Sequence, residues 1–292
     1  MDLKKYLSEK KTLVDKAIEE YFSKECGASP KLKEAMLYSL RAGGKRLRPV
    51  LVMAACEACG GKAADSTPAA LALEMIHTFS LVHDDLPAMD DDDLRRGQPT
   101  SHKKFGGATA ILAGDALLAE AFSCLSSCVV RCASCVQIIN DIANATGARG
   151  MTGGQELDLE AEGKKVSYEE LKNIHKLKTG ALIEVSITSG AKVAGAKDDK
   201  LSTLKKYGEA IGLAFQITDD ILDVEGTTEQ LGKPAKSDIE NEKATYPAIL
   251  GIEKSKKLAK DLVDKAYSAL AGFDSRADPL RDIARYILTR KS

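Results

Sequence analysis

The chain lacks an excess of charge of either sign: 42 Lys and Arg stand against 43 Asp and Glu in 292 residues, a formal net charge of −1. A nucleic-acid-binding domain ordinarily carries a basic surplus, so that class is set aside and any role for charge has to be local. Also missing is an apolar run approaching the roughly 18 residues of a membrane span. The opening residues Met1-Asp2-Leu3-Lys4-Lys5 lead into a polar amphipathic stretch without the apolar centre of a signal peptide. The expectation is a soluble cytoplasmic protein with no nucleic-acid partner and no membrane insertion. Sustained apolar–polar alternation is scarce, as are strand-length runs of β-branched residues, which argues against a sheet. No shift in composition marks a linker, and no internal repeat divides the chain.

Cysteines are few and odd in number: Cys26, Cys56, Cys59, Cys124, Cys128, Cys132 and Cys135. Without a secretion signal they read as free thiols in a reducing compartment. Cys56 and Cys59 have the spacing of a redox or zinc pair but fall in an alanine-rich helical run. The last four recur at helical spacing, a stripe on one helix face. Ligands strung along one straight helix do not enclose a tetrahedral zinc, so small buried core residues are expected.

What the chain has is apolar residues recurring every three to four positions. Ser29-Pro30 and Thr67-Pro68 each place a capping residue before a proline at the first helical position. Gly43-Gly44, Gly60-Gly61 and Gly153-Gly154 read as helix stops. These signals predict roughly ten or more helices with short connections. The most polar stretch, Thr227 to Lys243, reads as a surface loop. A single all-α domain over residues 1–292 is the expectation.

Two aspartate clusters stand out, Asp84-Asp85-Leu86-Pro87-Ala88-Met89-Asp90-Asp91-Asp92-Asp93 and Asp219-Asp220-Ile221-Leu222-Asp223. Each ends a strongly apolar helical segment, where so many like charges require neutralising cations. Magnesium suits them, since it takes hard oxygen ligands and is commonly shared between carboxylates and substrate phosphates. Two such clusters suggest one metal-bridged diphosphate between them. Gln216, Asp219, Asp220 and Asp223 stand at i, i+3, i+4 and i+7, on one helical face, leaving Phe215, Ile217, Ile221 and Leu222 to pack. His77, Ser80 and Asp84 form a similar polar line on a helix from Pro68 to about Asp85. Pro87 interrupts that helix, so that a bulge brings Asp90 back beside Asp84. His83, His102 and His175 have no such support and read as structural or surface residues.

Gly43-Gly44-Lys45-Arg46-Leu47-Arg48-Pro49 is a glycine turn followed by cations, with Pro49 opening a helix. Backbone donors there, with Lys45 and Arg48, suit a phosphate. With Arg95, Arg96, Lys178, Lys233 and Lys243 they supply two anion sites, one with metals and one with cations alone.

On these motifs the chain resembles the trans-isoprenyl diphosphate synthases, most closely the bacterial farnesyl diphosphate (geranyl-transferring) branch. The matching runs are the Gly43–Pro49 turn, His83 through Gly97, Gly153-Gly154-Gln155 with Asp158, Lys178-Thr179-Gly180, Phe215-Gln216 with the second cluster, Leu231-Gly232-Lys233, and Lys243-Ala244-Thr245-Tyr246-Pro247. They keep the family's order from about residue 40 to 250. The resemblance implies a single orthogonal helical bundle around a deep central cavity, and a homodimer. It implies that Asp84, Asp85 and Asp90 hold two magnesium ions and that Asp219, with Asp220 and Asp223, holds a third. Arg95, Lys178, Thr179, Gln216, Lys233 and Lys243 match contacts to an allylic diphosphate, dimethylallyl or geranyl. Gly44, Lys45, Arg48, His77 and Arg96 match a metal-free site for isopentenyl diphosphate.

Phe79, with Ser80 beside it, lies just before Asp84, where the short-chain branch often has an aromatic. Together with two extra residues between Asp84 and Asp90, it implies a fifteen-carbon product over a twenty-carbon one. Geranylgeranyl diphosphate synthase is the alternative. A non-catalytic prenyl synthase subunit should have lost carboxylates that this chain keeps, and a terpene cyclase has no need of Lys45, Arg48, His77 and Arg96. A redox or zinc module built on the cysteines ranks last. Ala235-Lys236-Ser237-Asp238 departs from the family's glycine-containing form, and the segment Ala284 to Arg290 resembles its final helix, with a basic end placed either to help close the site or in solvent.

Overall fold

A computed structural model describes residues 1–23, 27–126, 134–225 and 244–290. These residues are almost wholly helical. In chain order the helices are α1 (Leu3–Ser23), α2 (Pro30–Arg41), α3 (Leu47–Ala58), α4 (Thr67–Asp84), α5 (Ser101–Phe105), α6 (Gly107–Ser126), α7 (Cys135–Thr146), α8 (Met151–Ala161), α9 (Tyr168–His175), α10 (Ala181–Val193), α11 (Asp198–Glu225), α12 (Tyr246–Leu250), α13 (Ile252–Ala269) and α14 (Asp278–Thr289). One two-stranded ribbon interrupts them, β1 (Leu94–Arg95) paired antiparallel with β2 (Gln98–Pro99). A π-helical turn, Lys176–Gly180, joins α9 to α10.

Burial follows from composition. In α3, every residue from Pro49 to Cys56 is buried, so this helix lies inside the bundle, whereas amphipathic α1 buries only Lys10, Val14, Ile18 and Phe22. Two large apolar clusters result, one centred on α4 and α6 and one joining α3, α10, α11 and α14. Where α3 and α10 cross, a Cβ on Gly190 would sit 2.0 Å from the carbonyl oxygen of Val52, so glycine is what lets the backbones meet.

Local signals hold in part. Ser29 caps α2 by accepting from the Leu32 amide. Thr67 is not a cap: α4 follows directly from the short 3-10 turn Ala63–Ser66, so Thr67 is already helical. Pro49 sits in the first turn of α3, which begins at Leu47. Gly153 and Gly154 stop nothing; they lie inside α8, and a Cβ on Gly154 would meet the Lys178 backbone nitrogen at 2.2 Å. Close approach to the π-turn requires that glycine.

Cys124 and Cys135 do not share one helix. The first is on α6 and the second on α7, and the Cys135 thiol donates to the Leu125 carbonyl at 3.5 Å, a contact that a straight helix would forbid. Cys128 and Cys132, like Cys26, fall outside the described residues. Cys56 is a buried free thiol, its pKa pushed up to about 11 by burial. The expectation that no apolar run reaches spanning length also needs correction. Helix α6 has 20 residues, with a mean hydropathy of 1.5 over its most apolar 18, its charges being only Asp115 and Glu120, and in this fold it packs along α4.

Candidate active site

Helix α4 stops at Asp84, with Asp85 as its cap and Pro87 just beyond. The chain then doubles back: the Asp90 amide donates to the Asp84 carbonyl at 2.9 Å and the Asp91 amide to Leu86 at 3.1 Å. Asp91 adopts a positive φ of 49°, which an aspartate tolerates better than most residues. The ribbon follows, and its turn residues Arg96 and Gly97 have φ of 53° and 75°, the paired positive values of a tight hairpin turn. That turn aims two neighbouring arginines differently. Arg95 bonds Asp85 at 2.5 Å, while Arg96 donates to the Gly43 carbonyl.

Burial pushes the Asp84 carboxyl up to about 6; nearby Lys178 opposes the shift, and Asp90 and Asp85 add to it. Burial raises Asp85 as well, against its bond with Arg95. A group of hard oxygen donors held this way favours a cation. The residues present therefore fit a divalent ion. Asp91, Asp93 and His102 also bring potential ligand atoms within 4.8 Å of one another, but the Lys103 ammonium lies 2.6 Å from Asp93.

The second cluster lies on α11 with the predicted face. Asp220 and Asp223 are buried at 2% exposure, while Asp219 is more open. Asp220 is fixed at both oxygens, accepting from the Gln216 side chain at 3.0 Å and from the Tyr246 amide of α12 at 2.9 Å. The π-turn connects this helix to the first motif. Its Thr179 hydroxyl donates to Gln216 at 2.9 Å, and Lys178 bonds Asp158 of α8 at 2.5 Å while acting electrostatically on Asp84. Single π-turns inside helices are frequent at functional sites. Lys233 and Lys243 lie outside the described residues.

Arg290, just past α14, was read only as part of a basic tail. It is buried, pairs with Asp219 at 2.7 Å, donates to the Phe215 carbonyl at 2.9 Å and stacks 3.9 Å from the Phe215 ring. No local pattern marks it, because its partners lie on a helix far away in sequence.

The cationic side is built around Gly44. With φ of 115°, a Cβ there would lie 2.6 Å from the Arg96 guanidinium carbon. Burial lowers the pKa of Arg48, Arg96 and Lys45, and repulsion among the cations lowers each further. His77 is pushed well down by burial and by the surrounding guanidiniums, so it is neutral. An anion would relieve all four. Behind them stands Glu74, a residue that sequence reasoning missed although it lies one turn before His77 in an apolar helix. It is buried against Arg46 at 2.7 Å and offsets part of the charge on Arg48 and Arg96.

Between these groups lies a cavity of about 360 Å³. Arg48, His77, Asp84, Lys178 and Thr179 line its polar part, and Phe79, Met89, Met151 and Leu159 its apolar part, with Ser80 and His83 on the same wall. The cavity wall thus offers the carboxylates of Asp84 and Glu156, the cations of Arg48 and Lys178 and an apolar recess, with Asp219, Lys45 and Arg96 outside its lining.

Residues 29–278 match the family model described as polyprenyl synthetase. A farnesyl diphosphate synthase of Bacillus subtilis (strain 168) is 43% identical over 291 residues, covering 99% of this chain and 98% of that protein. The large subunit 1 of a chloroplastic heterodimeric geranylgeranyl pyrophosphate synthase of Arabidopsis thaliana is 48% identical, covering 100% of this chain and 80% of that one. The crystal structure of an FPP/GFPP synthase from Zymomonas mobilis superposes with a TM-score of 0.87 at 40% identity, covering 98% and 99% of the two chains.

Proposed function

Because the chain belongs to the polyprenyl synthetase family, we propose that it joins isopentenyl diphosphate to dimethylallyl and then geranyl diphosphate, making farnesyl diphosphate. It is an enzyme, a prenyltransferase. The observation that supports the reading is that Asp84 and Arg48 line one cavity together with Lys178, which acts on Asp84, and Thr179, which bonds Gln216 on the acidic face of α11, while Arg48 belongs to a cluster of cations whose charge is held at a cost. Two diphosphates, one with metal and one without, suit the carboxylates and the cations respectively.

Asp84, Asp85 and Asp90 would hold two magnesium ions and Asp219, with Asp220 and Asp223 behind it, a third. Bound there, magnesium supplies positive charge to the leaving diphosphate. Arg95 bonds Asp85, and Lys178, paired with Asp158, acts electrostatically on Asp84, so both add their charge where negative charge grows. By the resemblance, Lys233 and Lys243 do the same. The allylic carbon–oxygen bond breaks, its electron pair leaves with the diphosphate, and an allylic cation remains. Thr179 and Gln216, hydrogen-bonded to each other, place oxygen dipoles beside it. The apolar recess excludes water that would trap the cation. Gly44, Lys45, Arg48, His77 and Arg96 hold isopentenyl diphosphate so that its double bond attacks, forming the new carbon–carbon bond. The adjacent proton then passes to the departed diphosphate.

Phe79 in the recess supports a fifteen-carbon limit. The reading includes one synthase domain over the whole chain, a soluble cytoplasmic enzyme and a homodimer. For the last, α6 offers Ile111 and Leu112 at 46% and 57% exposure, an apolar face suited to a second copy.

The test supplies dimethylallyl diphosphate, labelled isopentenyl diphosphate and magnesium, with and without chelator. Farnesyl diphosphate should form, chelator should stop it, and Asp84→Ala and Asp219→Ala should each cut turnover by at least about 100-fold while keeping the helical spectrum. A predominantly twenty-carbon product would replace the farnesyl assignment by geranylgeranyl. Full activity in both variants would overturn the metal assignment.

A further inference from the structure

Phe79 cannot act as a floor unless something holds its ring. Its neighbour one turn on, His83, lies against it edge-on, with ring centroids 4.9 Å apart at 77°, and both rings line the cavity. The imidazole is itself held by α6, which meets its Nε2 edge in two ways. Nε2 lies 3.1 Å from the carbonyl oxygen of Ile111. A carbonyl only accepts, so Nε2 carries the hydrogen and donates, which fixes the tautomer and the ring plane together. The same edge of the ring occupies a slot that exists only because residue 114 is glycine. A Cβ there would fall 2.2 Å from Nε2 and 2.4 Å from Cδ2.

We propose that His83, seated in the Gly114 slot, is a positioning residue for product length, holding the Phe79 ring across the path of the growing prenyl chain. The proposal rests on the chain-elongation reading above. A phenylalanine on a helix can change rotamer and let a longer tail past. One braced by a second ring cannot do so without disturbing the bond to α6. On this proposal the hydrogen bond between His83 and Ile111 acts on the growing chain through Phe79, although the imidazole also lines the cavity. That separates it from ordinary packing of α4 on α6, which would support the fold without caring where the chain ends.

The experiment measures the ratio of twenty- to fifteen-carbon product from dimethylallyl and isopentenyl diphosphates with magnesium. It compares the wild-type enzyme with His83→Ala, Gly114→Ala, Phe79→Ala and the Phe79→Ala/His83→Ala double variant. His83→Ala should raise the ratio by roughly threefold or more, and the double variant should match Phe79→Ala alone, the non-additivity expected of two residues acting as one device. Gly114→Ala, by displacing the imidazole, should also move the ratio from the wild-type value. Should it fail to fold, the His83→Ala pair of measurements decides alone. A full His83→Ala effect persisting without Phe79 would overturn the proposal, as would a wild-type ratio in His83→Ala. Absence of any condensation by the wild-type enzyme would instead overturn the function on which it rests.

Discussion

Glu74 shows how a single residue can matter without touching substrate. At 2% exposure it pairs with Arg46, itself buried and held in the left-handed region at φ of 52°. Arg46 also bonds Asp15 and the Leu40 carbonyl, so one guanidinium ties α1, α2 and α4 together at the entrance to α3. Removing one partner of a buried ion pair strands the other, at a cost of about 3–5 kcal/mol. Glu74→Gln is therefore expected to lower unfolding free energy by about that amount in denaturant titrations; a loss under about 1 kcal/mol would show that Asp15 suffices. At this scale much was legible. Pro87 after two aspartates announced the turn that returns Asp90 to Asp84, because proline cannot continue the helix. Glu74 escaped the sequence reading although a signal was there, a carboxylate one turn before His77 in an apolar helix. Arg290 and the Gly114 slot were not legible, since a side chain's partner on a distant helix leaves no trace in its own neighbourhood.

The π-turn between α9 and α10 shows the same limit for elements. Helical periodicity predicted the helices on either side of it. The extra residue that turns Lys178 towards Asp158 and Thr179 towards Gln216 depends on α8 passing so close that Gly154 has no room for a side chain. Two consecutive glycines read as a stop because a stop is a local event; close packing is not. The cysteines misled for a related reason, their spacing keeping helical rhythm across the boundary between α6 and α7.

His175 closes α9 beneath the Tyr246 ring, 5.3 Å away, and burial lowers its pKa from 6.5 to about 4. The unfolded chain takes up this proton near pH 6.5 and the folded one only near 4, so acid favours unfolding throughout that window. Between pH 7 and pH 5 the residue should cost about 2 kcal/mol of stability. His175→Phe should show a smaller loss over that range in denaturant titrations. An equal loss in both proteins would assign the acid sensitivity elsewhere.

At the scale of the molecule, α6 presents Ile111 and Leu112 side by side on its surface, on a helix as apolar as any in the described residues. A second copy covering it would bury both. Leu112→Glu is expected to sediment as a monomer at micromolar concentration where the natural chain sediments as a dimer; a monomeric natural chain would remove the assignment. That face of α6 lies beside the His83 ring, which bonds the Ile111 carbonyl, so a dimer formed there would set the proposed chain-length device next to its subunit contact. One further feature concerns how the site takes up its cargo. Asp85 lies against Arg95, Asp158 against Lys178 and Asp219 against Arg290. Each carboxylate thus has a counter-ion from the chain itself, and on the proposed function admitting a metal–diphosphate would be an exchange of partners in which the arginines and lysine pass from carboxylate to phosphate oxygen. Such an exchange would set the cost of parting these ion pairs against the gain of new ones to metal and phosphate, so cargo presenting both together would be favoured over either alone.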